Sequence, residues 1–187
     1  MSDRIDREVV KRAQRGDEDA FTEIATGLGP GLHDVAYRML RDRMLAEDVA
    51  QQALVEMWRN LPRLRDPDKL GGWSYRILVR LCYRESNRLR QRITEILHSP
   101  TVPDAANAIA DRDQIERAFQ RLPIEQRAVI VLRHHVGMST QEAADALGVP
   151  QETVRTRLRR GLKAMRAVLD ADLRRTPNDQ ERAEVAR

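Results

Sequence analysis

The chain has 187 residues, of which 41% are hydrophobic and 33% are charged, while aromatic residues make up only 4%. This composition favours small helical bundles built on Leu, Val, Ile and Ala over a sheet protein. The formal net charge is only +4, which excludes a polycationic chain and makes any anion-binding surface a local one.

Cysteine, histidine and hydropathy patterns narrow the possible chemistry. The single cysteine, Cys82, excludes an intramolecular disulfide and a cysteine-rich metal site, and we expect a buried thiol in a reducing cytoplasm. His134 and His135 have no partner at metal-ligand spacing, so a structural or surface role is expected. The sequence has no apolar run of membrane-spanning length and no signal-peptide core. We therefore predict a cytoplasmic protein without membrane insertion, metal or cofactor.

The N-terminal part of the sequence predicts a series of amphipathic helices. Apolar residues recur at helical spacing, and Asp17 is placed to cap the second helix. The segment from Gly27 to Gly31 contains three glycines and one proline, which predicts a break or kink in that helix. A loop with two prolines and two glycines precedes the last helix. The predicted helices cover residues 3–14, 17–40, 46–61 and 73–92, and the loop covers residues 62–72.

The C-terminal part predicts a second helical unit and no strand. Amphipathic spacing is lost between residues 94 and 110, where prolines indicate a linker, and helices follow over 111–122 and 125–135. The predicted fold class is all-α, with two small helical bundles joined by a flexible linker. The predicted organisation is an N-terminal unit over 1–93, a linker over 94–110, a C-terminal unit over 111–170 and a disordered tail over 171–187.

A helix-turn-helix is predicted between Ser139 and Met165. Glu142 lies three residues after Ser139, which is the capping-box spacing. Gly148 suits the left-handed residue that ends a helix, and Pro150 suits the start of the next one.

The second helix of this pair is predicted to be apolar on one face and cationic on the adjacent face. Between Gln151 and Ala167 the only acid is Glu152. Arginine can bond two acceptors on a guanine edge or clamp a phosphate, and threonine can contact a base edge. The pattern therefore predicts a helix that enters the major groove of DNA. The apolar arc contains Val154, Leu158, Leu162 and Met165, and the cationic arc contains Arg155, Thr156, Arg159, Arg160, Lys163 and Arg166.

These motifs resemble the extracytoplasmic-function class of bacterial sigma factors. The run LPIEQRAVIVLRHHVGMSTQEAADALGVPQETVRTRLRRGLKAMR, from Leu122 to Arg166, is similar to their fourth region. The run AEDVAQQALVEMWRNL, from Ala46 to Leu61, is similar to their second region. The resemblance implies a factor that binds core RNA polymerase through the β′ clamp helices and the β flap, recognises promoter DNA and helps to open it. It also implies that the chain is not an enzyme and that an anti-sigma factor regulates it.

Three groups of functional residues follow from the resemblance. A melted DNA strand needs positive charge and a pocket for an unstacked base, and the basic residues assigned below to the −10 element agree with this need. The group that contacts the −35 element is Thr153, Arg155, Thr156, Arg157, Arg159 and Arg160. The group for the −10 element is Arg65, Asp66, Asp68, Lys69, Leu70, Arg76, Arg80 and Arg84. The group that binds core polymerase is Glu47, Asp48, Gln51 and Gln52.

The second region departs from the family pattern in ways that leave its −10 preference open. Gln52 stands where many relatives have glutamate, and Arg80 and Arg84 replace a usual asparagine and acid. Trp73 and Tyr75 can stack on bases by residue type, although a core position is favoured for Trp73.

The same residues allow two rival functions. The first is a two-domain helix-turn-helix transcriptional regulator that acts without being a polymerase subunit. The second is a helical enzyme with an anionic substrate, but the sequence contains no paired carboxylates, nucleophile–base arrangement or phosphate-binding glycine loop to support it.

Overall fold

A computed structural model describes residues 5–97 and 113–185, and neither segment contains a strand. The all-α prediction is therefore confirmed. We call 5–97 the N-terminal unit and 113–185 the C-terminal unit. The helices of the N-terminal unit are α1 (Arg7–Gln14), α2 (Glu18–Leu40), α3 (Arg43–Asn60) and α4 (Leu70–Leu97), with 3₁₀ turns at Leu61–Arg63 and Pro67–Lys69. Those of the C-terminal unit are α5 (Asp113–Gln120), α6 (Ile124–Ile130), α7 (Thr140–Leu147) and α8 (Gln151–Val185), with a π-helical turn at Val131–His135.

Helix α2 runs without interruption through the segment from Gly27 to Gly31, so the predicted break is wrong. Leu28, within the segment, is only 7% exposed, and its burial favours a continuous helix. The segment also lies in ordinary van der Waals range of residues from other parts of the unit. A Cβ on Gly27 would lie 3.7 Å from Cδ1 of Ile5, and one on Gly31 would lie 3.4 Å from the Tyr75 hydroxyl. Tertiary contact therefore outweighs the poor helix propensity of glycine and proline.

Several helix ends differ from those predicted. Helix α4 begins at Leu70, so the two glycines predicted in a loop are helical, and it ends at Leu97, inside the predicted linker. The rest of that linker lies outside the described residues. The backbone of α8 is helical to Val185, where a disordered tail was predicted. The helix includes Pro177, and nothing in its local sequence explains why it continues past that residue.

The two units pack against each other. Helix α4 contacts α7, and α2 contacts both α6 and the π-helical turn. The buried apolar cluster is accordingly continuous, and it extends from Val10 in α1 to Val154 in α8. In the described part of the chain, no helix has the length and apolar character needed to span a bilayer.

Candidate nucleic-acid and protein interfaces

The helix-turn-helix has both of the predicted helix ends. The Ser139 hydroxyl accepts the Glu142 backbone N–H at 3.2 Å, and the Ser139 backbone N–H donates to the Glu142 carboxylate at 2.7 Å. The hydrogen bond from the Ser139 backbone N–H, aided by the Ser139 side chain, holds the pKa of the Glu142 carboxylate below its ordinary value. Gly148 ends α7 with a φ of 66°, and its N–H donates to the carbonyl of Ala144. The predicted capping box and glycine terminator are confirmed.

The start of α8 presents a basic ridge to solvent. Arg155, Arg159 and Arg160 are exposed, and Thr153 and Thr156 are half-buried. At about 100° per residue these five positions span an arc of about 160° on the side of α8 opposite its buried face. The ridge combines guanidinium groups with hydroxyl groups, which are the donors that read base edges and phosphates in a major groove.

Arg155 is held only by weak neighbours on its own helix. Its guanidinium lies 3.4 Å from the Glu152 carboxylate and 3.3 Å from the side-chain oxygen of Gln151. Exposed pairs of this kind contribute roughly 0.3–0.5 kcal/mol, so a DNA acceptor can replace them at little cost.

Arg157 points away from the basic ridge. It is half-buried, and its positive charge acts on Tyr83 of α4. Burial raises the pKa of Tyr83 to about 12, while the charge of Arg157 acts in the opposite direction. The structure therefore brings Arg157 toward the N-terminal unit, and its contact with a DNA phosphate stays a prediction.

The packed face of α8 differs from the predicted apolar arc. Leu162 is 43% exposed, so its assignment to the core is wrong. Gly161 is buried in its place, and a Cβ there would lie 2.9 Å from Cδ1 of Ile130. The lack of a side chain lets α8 approach α6 closely and turns the contact stripe toward this glycine. The stripe consists of Val154, Leu158, Gly161 and Met165.

The predicted polymerase-binding residues share one exposed face of α3, together with two apolar side chains. Met44 is 79% exposed and Val55 is 48% exposed, although both are large hydrophobic residues. At about 100° per residue they fall within about 40° of Asp48 and away from the buried stripe. The helical spacing that places Met44 and Val55 on this face can be read from the sequence, although their hydrophobic side chains alone would suggest buried positions. The polar residues of this face are Glu47, Asp48, Gln51 and Gln52, all exposed.

An apolar groove between α2 and α3 adjoins this face. It has a volume of about 590 Å³, and its walls include Ala25, Leu54 and Val55. The rings of Phe21 and Trp58 lie with their centroids 4.9 Å apart at the same place. The exposed face of α3 and the groove together form a mixed polar and apolar surface, which is typical of protein-binding sites.

The loop before α4 presents two of its predicted DNA-binding cations. Arg65 and Lys69 are exposed. Leu70 is the first residue of α4, and its side chain is only 4% exposed, so it belongs to the core. Its side chain therefore anchors the loop, and a direct contact of Leu70 with DNA stays a prediction.

The two aspartates of this loop have structural partners. The Asp66 side chain accepts the Asp68 backbone N–H at 3.1 Å and starts the second 3₁₀ turn. The Asp68 carboxylate pairs with Arg7 of α1 at 3.1 Å. Both contacts fix the shape of the loop, and a direct DNA contact by either aspartate stays a prediction.

Helix α4 carries the remaining predicted −10 residues. Arg76, Arg80 and Arg84 are exposed and form a row at four-residue spacing. Tyr75 is only 9% exposed, and Trp73 is half-buried where a core position was favoured. The row of arginines therefore follows one edge of the helix, and the half-buried Tyr83 lines the same cleft as Arg76 and Arg80.

Cys82, His134 and His135 were singled out in the sequence, and all three lie in the described residues. Within residues 5–97 and 113–185, no cluster of three or more potential ligands is arranged to hold a metal ion. Cys82 is a free, buried thiol as predicted, and burial raises its pKa to about 12. Nε2 of His135 contacts the Asp34 carboxylate, and His134 is exposed.

Comparison with known families matches both units. Residues 25–92 match the family described as Sigma-70 region 2, and residues 112–165 match Sigma-70, region 4. The chain is 30% identical to the ECF RNA polymerase sigma factor SigM of Mycobacterium tuberculosis over 159 residues, which is 84% of this chain and 81% of that protein. It is 32% identical to the RNA polymerase sigma-E factor of Streptomyces avermitilis over 138 residues, covering 73% and 77% of the two chains.

Solved structures support the same fold. The structure of CnrH in complex with the cytosolic domain of CnrY aligns with a TM-score of 0.65 at 27% identity, covering 90% of this chain and 99% of that one. The sigma factor RpoE of Bartonella quintana, solved with the anti-sigma factor NepR, also gives a TM-score of 0.65, at 24% identity, with coverage of 81% and 98%.

Proposed function

Because the chain belongs to the extracytoplasmic-function sigma factors of the sigma-70 family, we propose that it binds core RNA polymerase, recognises promoter −35 and −10 elements and promotes melting of the DNA. The chemistry of RNA synthesis belongs to the core enzyme in this proposal, and none is assigned to this chain. The observation that carries it is the face of α3 formed by Met44, Glu47, Asp48, Gln51, Gln52 and Val55, all of which remain exposed among the described residues.

Binding to core polymerase is assigned to this face of α3. Asp48 and Gln51 supply charge and hydrogen-bonding groups, and Met44 and Val55 supply apolar area that a partner can bury. Val55 also lines the apolar groove between α2 and α3, so the apolar area of this face is continuous with that groove. The β′ clamp helices are the predicted partner here, and the β flap is the predicted partner of the C-terminal unit.

Recognition of the −35 element is assigned to the basic ridge of α8. Residues near the start of a recognition helix reach base edges, and later ones reach phosphates. On this basis Arg155 and Thr156 read bases, and Arg159 and Arg160 contact the backbone.

Capture of the −10 element is assigned to the loop before α4 and to the arginine row on α4. Arg65 and Lys69 attract the melted strand, and Arg76, Arg80 and Arg84 extend the positive track. Strand separation then follows from preferential binding of the melted state. Attachment of both units to one polymerase makes their DNA contacts act together through effective concentration. Regulation by an anti-sigma factor stays a prediction from the family.

A reconstitution with purified core RNA polymerase tests the proposal. Replacing both Asp48 and Gln51 with lysine should abolish holoenzyme formation in a pull-down and start-site-specific transcription in a run-off assay, while far-ultraviolet circular dichroism stays unchanged. The matched control is Asp19→Asn with Glu23→Lys on α2, which adds the same positive charge at exposed positions away from α3. This control should bind polymerase normally.

The same assay separates the two functional classes. A helix-turn-helix regulator that is not a polymerase subunit would leave transcription dependent on another factor and would show no binding to core polymerase. Normal pull-down by the double lysine variant would contradict the assignment of α3.

A further inference from the structure

A series of hydrogen-bonded side chains joins the two helices of the helix-turn-helix. Nη2 of Arg155 donates to Oε1 of Gln151 at 3.3 Å, and Nε2 of Gln151 donates to Oε1 of Gln141 in α7. Nε2 of Gln141 in turn donates to the Asp145 carboxylate at 2.8 Å. We call these four side chains the glutamine relay. Gln141, Gln151 and Asp145 have no role among the −35 contacts assigned above.

The two ends of the glutamine relay fix its direction. A guanidinium only donates hydrogen bonds and an ionised carboxylate only accepts them, whereas a glutamine amide does both and can turn its two ends around. With Arg155 at one end and Asp145 at the other, both amides satisfy their neighbours in a single orientation. The oxygen of Gln151 faces Arg155, and its nitrogen faces α7. Because the amide is oriented before DNA arrives, less side-chain freedom is lost when it binds.

Gln151 lies beside the basic ridge, on the side of α8 that faces α7. It is the first residue of α8, and it is half-buried. At about 100° and 1.5 Å per residue, it lies about 40° around the helix from Arg155 and about 6 Å before it along the axis. Residues at the start of a recognition helix reach base edges. Successive bases of one strand are about 3.4 Å apart, so Gln151 faces a base pair within about two steps of the one that Arg155 contacts.

The hydrogen-bonding groups left over on Gln151 match the major-groove edge of adenine. An amide nitrogen carries two hydrogens and an amide oxygen two lone pairs, and the relay uses one of each. One donor and one acceptor therefore remain. Adenine presents N7 as an acceptor and its N6 amino group as a donor, and a glutamine amide pairs with both. Guanine presents two acceptors, cytosine a donor, and thymine an acceptor and a methyl group, so none of the three matches both groups.

We propose that Gln151 is a further specificity residue of the −35 interface and reads an adenine, while Gln141 and Asp145 are positioning residues that hold its amide in the reading orientation. The inference rests on the proposed function and adds a base preference to it. The preferred base pair is A·T, within about two steps of the base pair that Arg155 contacts. Because Gln151 also accepts a hydrogen bond from Arg155, the two side chains are positioned together.

A complete base-substitution series tests the proposal on a promoter whose start site has been mapped with the wild-type holoenzyme. Each position of the −35 element is changed to every other base pair, and binding by the holoenzyme is measured by anisotropy. The Arg155 position is the one at which Arg155→Ala loses its discrimination. Within about two steps of it, replacing A·T should weaken wild-type binding by about 5- to 150-fold. Gln151→Ala should bind all base pairs there about equally and should keep its preference at the Arg155 position.

A single-atom change in the DNA separates base reading from an indirect effect on α8. Replacing the preferred adenine with 7-deazaadenine removes the N7 acceptor and keeps the base pair. Wild-type binding should weaken by about 2- to 12-fold, which corresponds to the loss of one hydrogen bond. Gln151→Ala should bind the two DNAs equally, because it has no amide to donate to N7.

The positioning role is tested from α7. Gln141→Leu removes the acceptor of Gln151, so it should reduce the preference for A·T. Combining Gln141→Glu with Asp145→Asn moves the carboxylate next to Gln151 at no change in net charge, and it should restore the preference. The readout is the ratio of affinities for two base pairs, which a uniform change in DNA binding does not alter. Gln120→Ala, at the exposed end of α5, is the matched control and should behave like the wild type.

Three results would overturn the proposal. The first is that Gln151→Ala keeps the base preferences of the wild type at every position. The second is that the wild type has no preference for A·T near the Arg155 position. The third, a full preference for A·T in Gln141→Leu, would remove the positioning role of the relay. Failure of the proposed function looks different, because then no holoenzyme would form or no upstream base change would alter its binding.

Discussion

Arg155→Ala removes the guanidinium at the exposed start of α8, where the side chain is 61% exposed. A good bidentate contact with a base contributes about 1–3 kcal/mol of discrimination. The contacts of Arg155 with Glu152 and Gln151 offset at most about 0.5 kcal/mol of this when they break. Promoter binding by the holoenzyme should therefore weaken by roughly 2- to 150-fold. Stability should change by less than about 0.5 kcal/mol, because an exposed arginine is lost without a cavity.

The assay is anisotropy and run-off transcription on a promoter whose start site has been mapped with the wild-type holoenzyme. Arg15→Ala is the matched control, because Arg15 is 67% exposed and lies 3.6 Å from Glu8 in a similarly weak pair far from α8. The loss with Arg155→Ala should be confined to changes in the upstream element. Equal binding by the two alanine variants would refute the assignment of Arg155 to base recognition.

Three further predictions concern the stability of the C-terminal unit. Ser139→Ala removes the helix cap and should lower the free energy of unfolding by about 1 kcal/mol, measured by urea denaturation; no change would contradict a stabilising capping box. The pKa of Glu142 is depressed below its ordinary 4.5, so its contribution is present above that pH and is lost as the pH falls through the lower folded value. Glu142→Gln should therefore reduce the loss in free energy of unfolding that the wild type shows as the pH falls below 4.5. Parallel curves of unfolding free energy against pH for the two proteins would contradict this role of Glu142. Leu132→Ala should lower the free energy of unfolding by about 2–5 kcal/mol, because the Leu132 side chain is 0% exposed. Leu162→Ala, at a position that is 43% exposed, should lower it by less than about 1 kcal/mol. Equal losses for the two variants would show that Leu162 belongs to the core.

Local signals made the helix-turn-helix predictable. The capping box at Ser139 and the left-handed terminator at Gly148 each depend on residues within a few positions of each other, and both are present in the structure. The exposed ridge of α8 was equally readable, because its arginines follow from helical periodicity and from the scarcity of acids.

Features that depend on distant residues were not predictable. The continuity of α2 through Gly27 depends on its packing against Ile5, and the shift of the α8 stripe depends on Ile130 of another helix. The pair between Arg41 and Glu116 joins positions far apart in the chain, so no periodic pattern reveals it. Propensity is a weak prior, and tertiary contact overrides it at such positions.

Photo-crosslinking of the holoenzyme on a mapped promoter tests the central claim most directly, with a photoreactive residue placed at Arg155 in one sample and at Lys69 in another. The proposed function predicts that the probe in α8 attaches to the upstream duplex and that the probe before α4 attaches to the unpaired downstream strand of the same complex. Attachment of both probes to one DNA segment, or of neither probe to DNA, would contradict it.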